Sequence, residues 1–280
     1  MKLTKLMGAL SGAAALAVAL AGTAPVQAQQ QELAAASVIE VIKKRGALRV
    51  GMSTFVPWAM RSKEGDLVGF EIDVATRVAE DLGVKVEFVP TAWSGIIPAL
   101  IAKKFDVIIG GMSITGKRNL TVNFTIPYAH SGQQIAASKQ LAGDFKSISD
   151  FNQSSVTFAC RRGSTACTAI QKMFPKAKLN RFDDDAQAFQ DVINGNAHAT
   201  LSSAPKPRFW TLQNSERLFM PSEENLTRGD EAFALRKGDP DALNVFSNWI
   251  LINTSNGWIQ ERHDFWFKTR DWAGEVAMKQ

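Results

Sequence analysis

Apolar and polar positions along the chain follow a helical period and a strand period in turn, and the order of those periods predicts the architecture. From Ser37 an amphipathic stretch reaches Lys44 and is stopped by Gly46, after which Ala47 to Met52 reads as a strand. Between Glu71 and Leu82 the residues Ile72, Ala75, Val78, Ala79 and Leu82 share one helical face, and Gly83 ends the helix. Val84, Val86 and Phe88 alternate with Lys85 and Glu87 as a second strand. A helix starting at Trp93 buries Ile96, Ile97, Leu100 and Ile101, and the apolar run Val107 to Ile109 is a strand covered on both faces. Strand, helix and strand in succession make βαβ units, which imply a parallel sheet.

The same rhythm restarts after Ser147: strand Ser155 to Ala159, helix Ser164 to Phe174, strand Lys178 to Phe182, helix Asp184 to Ile193, strand His198 to Leu201. Two α/β lobes are expected. Tyr128 to Ser138 has no helical period and is free to cross between them, and Phe233-Ala234-Leu235 is placed to cross back. A hinge of two crossing strands then joins one lobe of residues 29–131 and 232–280 to another of residues 132–231. The C-terminal aromatics Phe246, Trp249, Trp258, Phe265, Trp266, Phe267 and Trp272 lie at core spacing on two helices and are read as packing, not as a ligand platform.

The N-terminus changes the picture of where the chain works. Lys2 and Lys5 precede an apolar stretch from Leu6 to about Ala21, and Val26-Gln27-Ala28 offers small residues for cleavage. Residues 1–28 are expected to be a signal peptide cleaved after Ala28, which sends the product to the periplasm. Pro25 and the interruptions by Gly and Ser argue against an uncleaved anchor, and no later stretch reaches the roughly 18 uninterrupted apolar residues of a membrane span. At 45% hydrophobic and 21% charged, the 280-residue chain has the balance of an ordinary globular protein, which excludes disorder and disulfide-dense miniproteins. Its 32 Lys and Arg against 27 Asp and Glu are dispersed among acids, so no nucleic acid is implied.

Three His and two Cys without metal-ligand spacing make a zinc site improbable, and the glycine-rich nucleotide loops, G-x-S-x-G and H-E-x-x-H are missing from the sequence. No cofactor is expected. Two loops stand out. Gly110-Gly111-Met112-Ser113-Ile114-Thr115-Gly116-Lys117-Arg118 follows the buried strand directly, with glycine for close approach, the Ser113 hydroxyl, and Thr115 able to cap a turn whose third residue is Arg118. Those groups describe a carboxylate receptor, and a surface turn with a solvated arginine fits the residues equally well. Cys160-Arg161-Arg162-Gly163-Ser164-Thr165-Ala166-Cys167 is its counterpart in the second lobe, a strand end followed by a helix N-terminus whose dipole favours an anion.

At these residues a resemblance becomes specific. Gly69-Phe70-Glu71-Ile72-Asp73-Val74, Trp93-Ser94-Gly95-Ile96-Ile97-Pro98-Ala99-Leu100, Ser113-Ile114-Thr115 with Arg118, then Phe124, Tyr128, Gly163-Ser164-Thr165 and Leu235-Arg236-Lys237 follow one another as in the periplasmic solute-binding proteins, family 3, that deliver polar amino acids to ABC importers. The resemblance implies a two-lobed type II periplasmic-binding-protein fold that closes on a small carboxylate-bearing solute as a monomer, performs no chemistry, and presents its closed form to a membrane permease. It implies that Arg118 pairs with the carboxylate, helped by Ser113, the Gly111 backbone and Thr165, with Phe55 and Trp93 as aromatic walls and Trp58 as core. Glu71 falls where lysine-type members read an amine, with a plain helix N-terminal acid fitting the residue at least as well; Arg161 falls where glutamine-type members read a side chain, and Arg162 points to solvent. Ser203 stands where the family places an aspartate for the ligand ammonium, and Met52 replaces an acid of the lysine-type pocket. The alternative on the same fold is a periplasmic dehydratase acting on a prephenate-like acid, for which Glu71 or His198 would be the general acid. Export also predicts a disulfide between Cys160 and Cys167, whose spacing closes a turn around Gly163; two buried free thiols are the alternative.

Overall fold

The structure is a computed structural model that describes residues 37–276. The expected signal peptide of residues 1–28 lies outside the described residues. Two five-stranded sheets organise the chain. In the first, Ala47–Met52 pairs in parallel with Lys85–Pro90 on one side and with Val107–Ile108 on the other. Ala234–Leu235, from late in the chain, inserts antiparallel between Val107–Ile108 and Asn123–Phe124. In the second sheet, Thr157–Arg161 lies between Lys178–Phe182 and Ala199–Ser203, both parallel to it, and Gln133–Ser138 runs antiparallel between Ala199–Ser203 and Leu218–Phe219.

The expected two crossing strands join the lobes. Ala129–Ser131 leads into the second sheet and pairs antiparallel with Gly229–Glu231, which leads back to the first, with His130 opposite Asp230. The helices form where the pattern predicts. Val38–Arg45 is capped by the Ser37 hydroxyl and closed by Gly46 at a φ of 70°, in the left-handed region that favours glycine. Phe70–Asp81 buries Ile72, Ala75, Val78 and Ala79. The aromatics of Pro240–Ser255 and Trp258–Lys268 do pack: Phe246, Trp249 and Trp266 are buried in the first lobe. Their indoles are satisfied as burial requires, Trp249 Nε1 donating to Asp81 Oδ2 at 2.8 Å and Trp266 Nε1 to Asp73 Oδ2 at 2.6 Å.

Three local differences matter for the site. The strand expected at Ser155 to Ala159 runs instead over Thr157–Arg161, because its partner Lys178–Phe182 sets Arg161 opposite Phe182. Ala199–Ser203 extends past Leu201, drawn on by Gln133 opposite Ser203. The helix Lys206–Gln213, which has no apolar stripe to reveal it, follows Pro205. Among the described residues, no helix is long and apolar enough to cross a membrane.

Candidate functional site

The first-lobe loop after Val107–Ile108 turns at Gly111, whose φ of 63° and close neighbours, Trp58 and Phe55, leave no room for a Cβ. Thr115 caps the short helix Gly116–Asn119, its hydroxyl accepting the Arg118 N–H at 3.2 Å. That cap aims the Arg118 side chain back along the loop. Nη1 donates to the Ser113 carbonyl at 2.7 Å, and Nη2 reaches across to the Gly163 carbonyl of the second lobe at 3.2 Å. Burial, with Arg161 nearby and Glu231 opposing, brings the Arg118 pKa down to about 10, which leaves it charged at neutral pH.

From the second lobe, Ser164 caps the helix Thr165–Met173 through the Cys167 N–H, and Cys160 and Cys167 are joined by a disulfide. Thr165 opens that helix, so its N–H is among those left without an intrahelical acceptor. Gln133 Nε2 donates to Thr165 Oγ1 at 3.2 Å and to Ser203 Oγ at 3.4 Å, which ties two residues from distant parts of the sequence into one polar surface. Arg161 leaves the end of its strand and crosses to the first lobe, its Cζ 4.9 Å from the Phe55 ring centroid and 4.6 Å from that of Trp93. A groove of about 800 Å³ opens between the lobes, with Trp93, Arg118, Gly163 and Thr165 in its lining.

Trp93, Arg118 and Thr165 therefore meet in the groove. Phe55 and Arg161 stack beside Trp93, Ser113 supports Arg118 through its carbonyl, and Ser203 is linked through Gln133. Two residues sit differently from expectation. The Gly111 N–H donates to the Tyr128 hydroxyl at 3.2 Å instead of facing a ligand, because the turn points it into the lobe. Glu71 is fully buried, with the Tyr128 hydroxyl 2.6 and 2.7 Å from its two oxygens, and does not line the groove. Burial raises its pKa from 4.5 to about 8 against the Tyr128 hydrogen bond, so the carboxyl is mostly protonated at neutral pH. Trp58 is core, and Arg162 is exposed beside Asp183 at 2.9 Å. His198 accepts the Thr157 N–H at 3.2 Å, packs on Phe145, and is outside the groove.

Sequence reasoning missed Gln133 and Glu231. Gln133 opens an otherwise mostly apolar buried strand, which is the signal that marks it. Glu231, on the returning hinge strand, is buried and accepts from Ser131 at 2.5 Å and from Ser113 at 3.4 Å, while its Oε2 has no hydrogen-bond partner among the described residues. Burial, opposed by those serines, raises its pKa to about 7.

Residues 48–269 match the family described as bacterial extracellular solute-binding proteins, family 3. The chain is 28% identical to the L-cystine-binding protein TcyJ of Escherichia coli over 90% of its own length and 92% of that protein's. It is 26% identical to the cyclohexadienyl dehydratase of Pseudomonas aeruginosa over the same shares of the two chains. Among solved structures, a putative binding component of an ABC transporter from Wolinella succinogenes, complexed with lysine, superposes with a TM-score of 0.77 at 36% identity, covering 82% of this chain and all of that one.

Proposed function

This chain belongs to family 3 of the bacterial extracellular solute-binding proteins, and from that premise we propose that it captures a small carboxylate-bearing solute, an amino acid or a derivative, for an ABC importer. Capture works by closure. The solute bridges the lobes across the hinge of Ala129–Ser131 and Gly229–Glu231, and the closed form is what a membrane permease recognises. The observation that carries this reading is the position of Arg118, whose guanidinium hydrogen-bonds to one lobe through the Ser113 carbonyl and to the other through the Gly163 carbonyl, at the rim of the groove and near the opening of the Thr165 helix. Neutral carbonyls do not balance its charge, so a carboxylate drawn to it would be paired and held between the lobes at once.

The rest of the assignment follows from the same reading. Among the described residues, 37–131 and 232–276 are assigned to the first lobe and 132–231 to the second; the protein acts as a monomer in the periplasm after cleavage behind Ala28, and it releases its solute unchanged. Support for binding without chemistry comes from the two candidate acids, whose polar atoms are engaged within the protein: Glu71 is closed in against Tyr128 and His198 accepts from Thr157. Native mass spectrometry of protein purified without refolding would identify a co-purified solute. Calorimetry with that solute and its amide, on wild type and on Arg118→Ala, tests the role of the carboxylate. Binding that survives Arg118→Ala unchanged, or turnover of the solute, overturns the reading.

A further inference from the structure

The Arg161 guanidinium occupies the place between the two aromatic walls. Its side chain starts in the second lobe, and its charged end lies over both Phe55 and Trp93 of the first. Only 7% of the residue is exposed, which is an expensive position for a cation unless something pairs with it. Among the described residues its hydrogen bonding amounts to one long contact, Nη1 to Ser53 Oγ at 3.5 Å, and Nε has no partner. Two acids of its own lobe act on it and both are already engaged: Asp185 meets Lys206 Nζ at 2.8 Å and accepts from Ser202 at 2.9 Å, and Asp184 accepts the Ala186 N–H at 2.6 Å as a helix cap. In the first lobe Glu71 is spent on Tyr128, and Glu231 is tied to Ser131 and Ser113.

A second guanidinium stands next to it. Arg118 Cζ lies 5.6 Å from the same Trp93 ring, so two like charges share one indole. The groove lined by Trp93 and Arg118, beside which Arg161 stacks, also carries Lys117, Lys172, Arg181 and Arg228 in its lining and, among the described residues, no aspartate or glutamate. Such a lining raises the local concentration of anions and opposes cations.

We propose that the solute carries two anionic groups, one received by Arg118 and the other by Arg161 between Phe55 and Trp93, so that the ligand class is a small dicarboxylate. This rests on the carboxylate reading of Arg118 and narrows it. A cationic side chain would have to displace Arg161 from the aromatic walls and then sit beside two guanidinium groups. A neutral amide would leave Arg161 without a hydrogen-bonded anionic partner, its charge offset only through space by Asp185 and Asp184. A second carboxylate uses the free donors of the fork, and the two planar groups suit bidentate pairing.

Calorimetry of the full processed chain, stripped of co-purified solute, tests this with matched probes: glutamate against glutamine, succinate against succinamate, and lysine and arginine as cations. The dicarboxylates should bind on the order of 100-fold tighter than their monoamides, as a site built around a buried charge discriminates strongly against a ligand that leaves it unpaired. In Arg161→Met, which keeps an apolar stem against the aromatic rings, that ratio should collapse to about threefold or less, because the paired charge is gone. Circular dichroism reports whether the variant folds, and the wild-type ratio decides the matter if it does not. Preference of the wild type for glutamine, succinamate, lysine or arginine overturns the inference while leaving the monocarboxylate role of Arg118 standing, as does a ratio unchanged in Arg161→Met. Wild-type protein that binds no carboxylate in the panel overturns both.

Discussion

Lys206 Nζ lies 2.8 Å from Asp185 Oδ2 in the interior of the second lobe, where the two side chains are 1% and 5% exposed. Asp185 begins one helix and Lys206 another, and Ser202 donates to the same carboxylate oxygen. The ammonium also lies 5.6 Å from the ring centroids of both Phe189 and Trp210. Burial alone would raise the Asp185 pKa, yet Lys206 and Arg161 hold it below the usual carboxylate range. Asp185→Asn should therefore strand a buried cation and cost about 3 to 5 kcal/mol in urea unfolding, whereas the apolar pair Asp185→Leu with Lys206→Met should cost clearly less. Equal losses for the two variants would show that the ion pair holds no more than its own volume.

Glu71 gives stability a pH dependence of defined sign. A carboxyl that titrates at about 8 in the folded chain and near 4.5 when unfolded binds its proton more tightly in the folded state. Its contribution is full below pH 4.5 and is lost as the pH rises through about 8, a few kcal/mol in all at about 1.4 kcal/mol per unit. Glu231, raised to about 7, adds a slope of the same sign. Glu71→Gln keeps an oxygen for Tyr128 without the charge, so the variant should match wild type at pH 5 and exceed it by about 3 to 4 kcal/mol at pH 8. Parallel stability curves from pH 5 to 8 would rule out a protonated Glu71.

Much of the frame was legible because it rests on periodicity. The apolar face of Phe70–Asp81, the cap at Thr115 and the return of Ala234–Leu235 to the first sheet all follow from local pattern. Arg118 could be singled out because its loop carries turn glycines and a capping threonine on a buried strand. What stayed hidden depends on register across long separations. Gln133 meets Thr165 and Ser203 only because its strand pairs with Ala199–Ser203 in one alignment. Glu231 reaches Ser131 through pairing of hinge strands about a hundred residues apart, and nothing local distinguishes it from a surface acid. The crossing of Arg161 to Phe55 and Trp93 is a matter of how the lobes face each other, which no spacing along the chain encodes.

The disulfide should matter for the ligand as well as for the fold. Cys160 and Cys167 are seven residues apart and bracket both the Gly163 carbonyl that meets Arg118 and the start of the Thr165 helix. Closing so short a loop restricts the unfolded chain by about 2 to 3 kcal/mol. Cys160→Ala with Cys167→Ala should lower stability by that amount and weaken binding several-fold, since Gly163 and Thr165 are no longer held at the groove. Full affinity with reduced stability would limit the bond to a structural part.

On the proposed reading, Ser203 decides how an amino group of the solute fares. It lies at the end of its strand with Gln133 Nε2 3.4 Å from its hydroxyl; if it stands where the ammonium of the proposed solute sits, it offers that group no charge. An ammonium desolvated there without a carboxylate costs several kcal/mol. Glu71 is closed off by Tyr128, so the buried carboxylate left to compensate is Glu231, whose Oε2 has no hydrogen-bond partner among the described residues and whose charge acts on Arg118. Glu231 is half neutral near pH 7, which makes it a weak substitute. Ser203→Asp supplies a full charge within reach of the Gln133 amide, which can orient it. The variant should therefore gain at least about tenfold in affinity for an α-amino acid relative to the matching hydroxy acid, as expected when an unpaired buried charge acquires a partner. Calorimetry of glutamate against 2-hydroxyglutarate, on wild type and variant at pH 6 and pH 8, separates the two carboxylates: a wild-type preference for the amino acid that rises with pH points to Glu231. A strong wild-type preference that neither pH nor Ser203→Asp alters would place the ammonium partner elsewhere in the groove.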